Sequence, residues 1–147
     1  MNFKQFLIET FSPEFLAWFK NSKVVDQNGK PLIVYHGTKT GGFKKFKVPQ
    51  DHGRLYFTVN KDYATQYSTD AFHPSRETTS PKVYAVYLKI INPIDLDVLW
   101  IDDPKYNDIG FGASSWKKHG YDGAYSTEGG GTWQVFDSSQ IRSAEDK

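Results

Sequence analysis

VVDQNGKPLIVYHGT, residues 24–38, sets two β-forming runs, Val24-Val25 and Leu32–Tyr35, on either side of Asn28-Gly29. Asn-Gly accepts the positive φ angles of a tight turn, so a β-hairpin is predicted that leads into His36 and Gly37. Downstream, LYFT at 55–58 reads as a short aromatic strand, and Asn60 suits a helix N-cap. The helix it opens carries Tyr63, Ala64 and Tyr67, with the two tyrosines on one face at i, i+4. VYAVYLKII, 83–91, predicts a central strand stopped by Asn92-Pro93. A helix over Ser114–His119 stops at Gly120, and the last strands are Gly123–Ser126 and Trp133–Phe136, joined through Glu128 and three glycines. Ser, Thr and Pro mark Thr69–Pro81 as a loop, and Asp102–Gly112 is polar and rich in turn formers.

Upstream, Phe3, Phe6, Leu7 and Phe11 recur at helical spacing without an evident cap. Ser12-Pro13 then reads as an N-cap with a first-turn proline, opening a second helix with Phe15, Leu16 and Phe19 on its apolar side. Residues 1–21 are therefore expected to be a helical segment laid over the core. With about six strands, three or four short helices and no βαβ alternation, the fold class is α+β with a mostly antiparallel sheet, and residues 1–147 read as a single domain.

Composition narrows the function. Eleven Phe, nine Tyr and four Trp give a chain of 147 residues ample apolar area for a core. The absence of Cys excludes disulfides, thiolate zinc sites and Cys nucleophiles. Eighteen Lys and Arg against seventeen Asp and Glu leave no strong field for tight, non-specific nucleic-acid binding. Lys4, Gln5 and Glu9 interrupt the apolar N-terminus, and nothing approaches the roughly 20 apolar residues of a membrane span. The expectation is a cytoplasmic protein without a membrane partner.

Three stretches suggest chemistry: YHGT at 35–38; Tyr56 with Tyr67; and TWQVFDSSQIRS at 132–143. Each also has a structural reading. A His after an apolar strand is commonly a hydrogen-bonded scaffold residue, and the tyrosines would ordinarily belong to the core. Gly37 permits close backbone approach, which hints at a ligand. Gly129–Gly131 lack the following Lys-Ser or Lys-Thr of a P-loop. His52, His73 and His119 stand apart without metal-ligand spacing, so no metal is expected. Asp102-Asp103 and Lys44-Lys45 read as solvated charges.

In this order the three stretches resemble the His-Tyr-Glu class of ADP-ribosyltransferases, which includes diphtheria toxin and the poly(ADP-ribose) polymerases. YHGTK at 35–39 is similar to the start of the diphtheria-type toxins. Tyr56, Thr58, Asn60, Lys61, Ala64, Tyr67 and Ser68 fall at spacings like those of the next toxin motif. VFDSSQIRS resembles the last polymerase strand. KVVDQNGKPLIVYHGT and the YDG at 121–123 look closest to the small ADP-ribosyltransferase domains of phage and mobile-element polyvalent proteins. The resemblance spans roughly 22–144 and implies split antiparallel sheets with a few short helices.

It also implies NAD⁺ as co-substrate, cleaved between nicotinamide and ribose, with ADP-ribose passed to a macromolecular acceptor (protein, RNA or DNA). A toxin-, phage- or defence-related setting is implied, in the host cytoplasm if phage-encoded, with an antitoxin or partner subunit as a further partner. By resemblance His36 bonds the adenosine ribose, Gly37 offers its backbone to the nicotinamide amide, and Thr38 supports that turn. Tyr56 and Tyr67 sandwich the nicotinamide; Phe57 and Thr58 belong to the same binding strand, and Arg54 meets the pyrophosphate. The third class residue, a Glu four positions before the aromatic of the final strand, is replaced by Thr132. Gln134 on the same strand face or Glu128 on the glycine loop could stand in. A transferase with Thr132 and Gln134 near the ribose is expected; the alternatives are an NAD⁺ glycohydrolase and an inactive NAD⁺- or ADP-ribose-binding module.

Overall fold

Ser12 accepts a hydrogen bond from the Phe15 amide (3.1 Å) and Pro13 takes the first helical position, as their order in the chain predicts. In the computed structural model, which describes residues 2–49, 53–69, 80–101, 106 and 109–147, helix α1 spans Phe3–Thr10 and α2 spans Pro13–Phe19. Contrary to expectation α1 is capped: Asn2 Oδ1 accepts from the Gln5 amide at 2.8 Å. It buries none of its residues, whereas α2 buries Phe15 and Phe19. Phe11 stacks on Phe15 (4.5 Å), and Phe15 meets Tyr87 edge-on at 5.0 Å, which fastens this segment to the sheet.

The expected hairpin is reduced to a turn with one isolated bridge, Val25–Pro31. Gly29 takes φ +79, but Asn28 does not adopt positive φ. The Asp26 carboxylate receives the Asn28 amide (2.8 Å) and the Lys30 amide (3.0 Å), and Pro31 has no N–H to extend a ladder. Strand β1 is Val34–Thr38, β2 Leu55–Thr58, and α3 Lys61–Ser68, opened by Asn60 Oδ1 accepting from Tyr63 N at 3.2 Å.

Strand β3, Lys82–Leu88, ends before Asn92. Beyond it, Ser22 Oγ donates to the Leu88 carbonyl (2.7 Å) and accepts from the Ile90 amide (3.1 Å), so a side chain replaces the ladder. Pro93 opens rather than ends an element. Strand β4 is Pro93–Asp95, with proline at the first position of an edge strand, where its missing donor does no harm. Asp95 then caps α4, Leu96–Trp100, which the sequence reading did not contain. Helix α5, Ala113–Lys118, runs to Gly120 at φ +89; β5 is Gly123–Ser126, β6 Thr132–Val135 and β7 Ile141–Ser143. Residues 70–79 of the expected loop, and 102–105 and 107–108 of the polar stretch, lie outside the described residues.

Among the described residues seven strands form one sheet in the order β4-β5-β6-β2-β1-β3-β7, antiparallel except for β4 with β5, which is the α+β class expected. Pairing is uneven. β1 and β3 are registered from Val34–Val86 to Thr38–Lys82, and β2 and β6 from Leu55–Val135 to Thr58–Thr132. Between β1 and β2 the register holds at Tyr35–Thr58 alone, so the sheet splits there. One core cluster, with Val34, Val86 and Leu88 from one half and Phe57, Trp133 and Val135 from the other, spans the split. A second lies under α4 and α5, around Leu96, Leu99, Trp116 and Phe136.

Candidate active site at the split of the sheet

Directly opposed residues of antiparallel strands share a face. Tyr56 opposes Gln134 and Thr58 opposes Thr132, with Ser126 beyond Thr132, so these side chains belong to one face while Phe57 and Trp133 turn into the core. That face borders a cleft of about 770 Å³, within the range of small-molecule sites. His36, Gly37, Thr38, Arg54, Tyr56, Tyr67, Thr132 and Gln134 all line it.

His36 bridges the split. Its Nδ1 lies 2.7 Å from the Tyr56 carbonyl, which can only accept, so Nδ1 carries the hydrogen. Desolvation by burial pulls its pKa below the ordinary value, outweighing the upward effect of that bond. The imidazole is therefore neutral near pH 7, and Nε2 is left as an acceptor suited to a hydroxyl. Phe46 edge-on at 5.4 Å and Phe57 at 5.3 Å hold the ring.

Gly37 has a cause the sequence did not reveal. A Cβ there would lie 1.8 Å from the Ala64 carbonyl oxygen, so the close approach it permits is that of α3, not only of a ligand. The packing of α3 on β1 brings Tyr63 and Tyr67 to the cleft. Tyr67 is 42 % exposed and Tyr56 43 %, which rules out the core reading of both. Beyond Tyr35, the edge of β1 that faces β2 has no strand partner among the described residues.

Two expected binding residues are placed differently. Phe57 borders the cleft but is 1 % exposed and packs in the core beneath His36, because alternation along β2 turns it inward. Thr58 is 5 % exposed, and its Oγ1 accepts from the Asn60 amide (3.0 Å), which supports the start of α3. Arg54 does reach the cleft: Nη1 donates to the Phe111 carbonyl (3.3 Å) and the guanidinium lies 5.3 Å from the Trp116 ring centre. Its Nε is buried without a hydrogen-bond partner among the described residues.

At the third position Thr132 Oγ1 donates to the Glu128 carbonyl at 3.0 Å. Glu128 borders the cleft on a turn pinned by Asp97, which accepts from Ser126 Oγ (3.2 Å) and the Thr127 amide (3.0 Å). Gln134 is 6 % exposed, and its buried Oε1 has no hydrogen-bond partner among the described residues. A buried unpaired acceptor costs about 1–3 kcal/mol, a cost relieved when a bound hydroxyl or amide supplies the donor.

The remaining motif residues are structural. Asp122 of YDG accepts the amides of Ile91 (2.9 Å) and Asn92 (2.7 Å), and a Cβ on Gly123 would lie 2.8 Å from the Gln134 carbonyl. Gln140 ties together the segments after β3, before β5 and after β6. Lys44 and Lys45 are exposed; His119 Nδ1 bonds the Ser115 carbonyl; His52, His73 and Asp102-Asp103 lie outside the described residues. The sequence reading missed Tyr63, Trp100, Phe111, Trp116 and Ser126 at the cleft. Only Tyr63 carried a signal, its i, i+4 spacing from Tyr67.

Comparison with known proteins gives one assignment. The family model described as "ADP-Ribosyltransferase in polyvalent proteins" matches residues 26–147. Neither the curated proteins nor the solved structures contain a match to the chain.

Proposed function

The chain belongs to the ADP-ribosyltransferases of polyvalent proteins, a family that draws ADP-ribose from NAD⁺, and from that premise we propose that the cleft at the split of the sheet binds NAD⁺ and transfers its ADP-ribose to a macromolecular acceptor. The observation that carries this reading is the meeting of His36, Tyr56, Tyr67, Thr132 and Gln134, from four separate elements, on one cleft. His36 Nε2 accepts a ribose hydroxyl of the adenosine half. The unpaired backbone edge at Gly37 and Thr38 faces the nicotinamide carboxamide, and Arg54 the pyrophosphate. Tyr56 and Tyr67 flank the cationic ring, worth roughly 0.5–2 kcal/mol per face. Stacking that only tightens NAD⁺ adds nothing to rate, so the rings act by fixing the orientation of the glycosidic bond. Thr132 Oγ1, whose hydrogen goes to the Glu128 carbonyl, keeps its lone pairs to accept from a ribose hydroxyl, with Gln134 beside it on the same face. A toxin-, phage- or defence-related setting in the cytoplasm belongs to the same proposal.

The test is nicotinamide release from NAD⁺ in a cell lysate. Tyr67→Ala is expected to abolish it while moving stability by no more than about 0.5 kcal/mol, because the ring is 42 % exposed. Release that survives both Tyr56→Ala and Tyr67→Ala places the chemistry elsewhere.

A second reading, a nucleotide-binding module without transfer, is favoured by one observation: position 132 has no carboxylate, so no negative charge stands there. Thr132→Glu separates the two. In a working transferase it raises a measurable rate, by up to about 10²-fold if the carboxylate meets the developing positive charge. In a binding module, activity appears only in the variant.

A further inference from the structure

The cleft is longer than the residues assigned to NAD⁺. Past Gln134 it continues to Leu96, Trp100, Phe111, Trp116 and Ser126. Leu96, Trp116 and Ser126 are each 2 % exposed and form a closed floor, while Trp100 is 52 % and Phe111 62 % exposed. Both exposed rings are carried on held backbone. Trp100 ends α4, whose first turn is capped by Asp95, and the Phe111 carbonyl is bonded by Arg54. Large aromatics kept in water at the mouth of a site offer flat apolar faces to a flat ligand.

The lining charges narrow what that ligand is. A guanidinium acceptor calls for carboxylates, but the inner wall here carries the Arg54 cation over Trp116, and Glu128 stands on the turn beyond Thr132. A nucleobase needs no counter-charge and stacks on any exposed aromatic face, while its phosphates suit cations. Lys39 and Arg54 line the cleft, and Lys44, Lys45 and Lys47 are exposed on the segment after β1. We infer that this second end of the cleft is the acceptor site and that the acceptor is a base of single-stranded nucleic acid, held by stacking on Trp100 and Phe111. The inference rests on the transferase reading of the first end. In the step it implies, a base nitrogen bearing hydrogen forms a bond to the ribose carbon as the bond from that carbon to nicotinamide breaks. The bonding pair leaves on nicotinamide and neutralises the ring, and the base N–H proton is released to solvent.

The experiment incubates the full chain and adenylate-labelled NAD⁺ with mixed-sequence single-stranded DNA, the matching RNA, or an arginine-rich peptide. Label is expected in one or both oligonucleotides, resistant to protease and released by nuclease, the two arms showing which sugar is preferred. Trp100→Ala and Phe111→Ala, at exposed positions, are each expected to raise the oligonucleotide KM about ten-fold, and Trp100→Ala, which leaves the Arg54–Phe111 bond untouched, to keep the KM for NAD⁺ within about two-fold. Label in the peptide alone, or an oligonucleotide KM unmoved by both variants, overturns the inference. Tyr67-dependent nicotinamide release with both oligonucleotides unlabelled overturns it too but leaves the transferase reading standing. No release with any acceptor sinks both.

Discussion

The two halves of the sheet meet differently at the cleft and away from it. At the cleft they share one backbone register pair, Tyr35–Thr58, and the bond from His36 to the Tyr56 carbonyl. Away from it Gln140 knits them together: Oε1 accepts the Phe136 and Asp137 amides (3.0 Å each), and Nε2 donates to the carbonyls of Lys89 (3.1 Å) and Asp122 (2.6 Å). Asp122 adds two bonds to the chain after β3. The joint rich in side-chain bonds is thus removed from the joint that borders the cleft. A ladder continued along β1 and β2 would occupy the backbone edge that borders the cleft.

Gly37→Ala attacks the cleft joint most severely. The added methyl would overlap the Ala64 carbonyl, which is backbone and cannot swing aside, so α3 must leave β1. A loss of at least about 3 kcal/mol in thermal or urea unfolding is expected, with no NAD⁺-dependent activity. A variant that melts like the parent would mean α3 is not seated as described. Gln140→Ala tests the other joint. It strips partners from two amides and two carbonyls and is expected to cost about 2–3 kcal/mol. If the halves are otherwise well joined, the loss drops below about 1 kcal/mol and the contrast between the joints is weakened.

The smallest effect is the titration of His36. Burial holds its pKa below the ordinary 6.5, so as pH falls the unfolded chain takes the proton first. The stability contributed by this group is full above pH 6.5 and declines as pH drops through the folded-state value, and nicotinamide release weakens in the same window as Nε2 is lost as an acceptor. His36→Gln is expected to flatten the stability profile below pH 6.5. A melting curve whose pH dependence is unchanged by His36→Gln would separate the imidazole from the joint.

Much of the region around the split, β1, β2 and α3, was legible because its signals are local: aromatic alternation in LYFT, the Asn60 cap, and tyrosines one helical turn apart. The region of β4 and α4 was less so. Pro93-Ile94-Asp95 is too short for a periodicity, and Asn92-Pro93 reads as a stop, yet the strand is made by a parallel partner, β5, distant in the chain. Asp95 ahead of Leu96 and Leu99 was a cap signal for α4 that the expected stop obscured. Trp100 and Phe111 reach the cleft through tertiary packing alone, which no local pattern records. Gly37 was noticed for the right property, but its nearest neighbour is a helix of the same chain.

The parallel pairing of β4 with β5 also bears on how the molecule assembles. An antiparallel neighbour such as β6 reaches β5 across a short turn, but β4 must wait until the whole crossover through α4 and α5 has been laid down. This margin of the sheet is therefore expected to close late in folding, after its own core around Leu96, Leu99 and Trp116 can form.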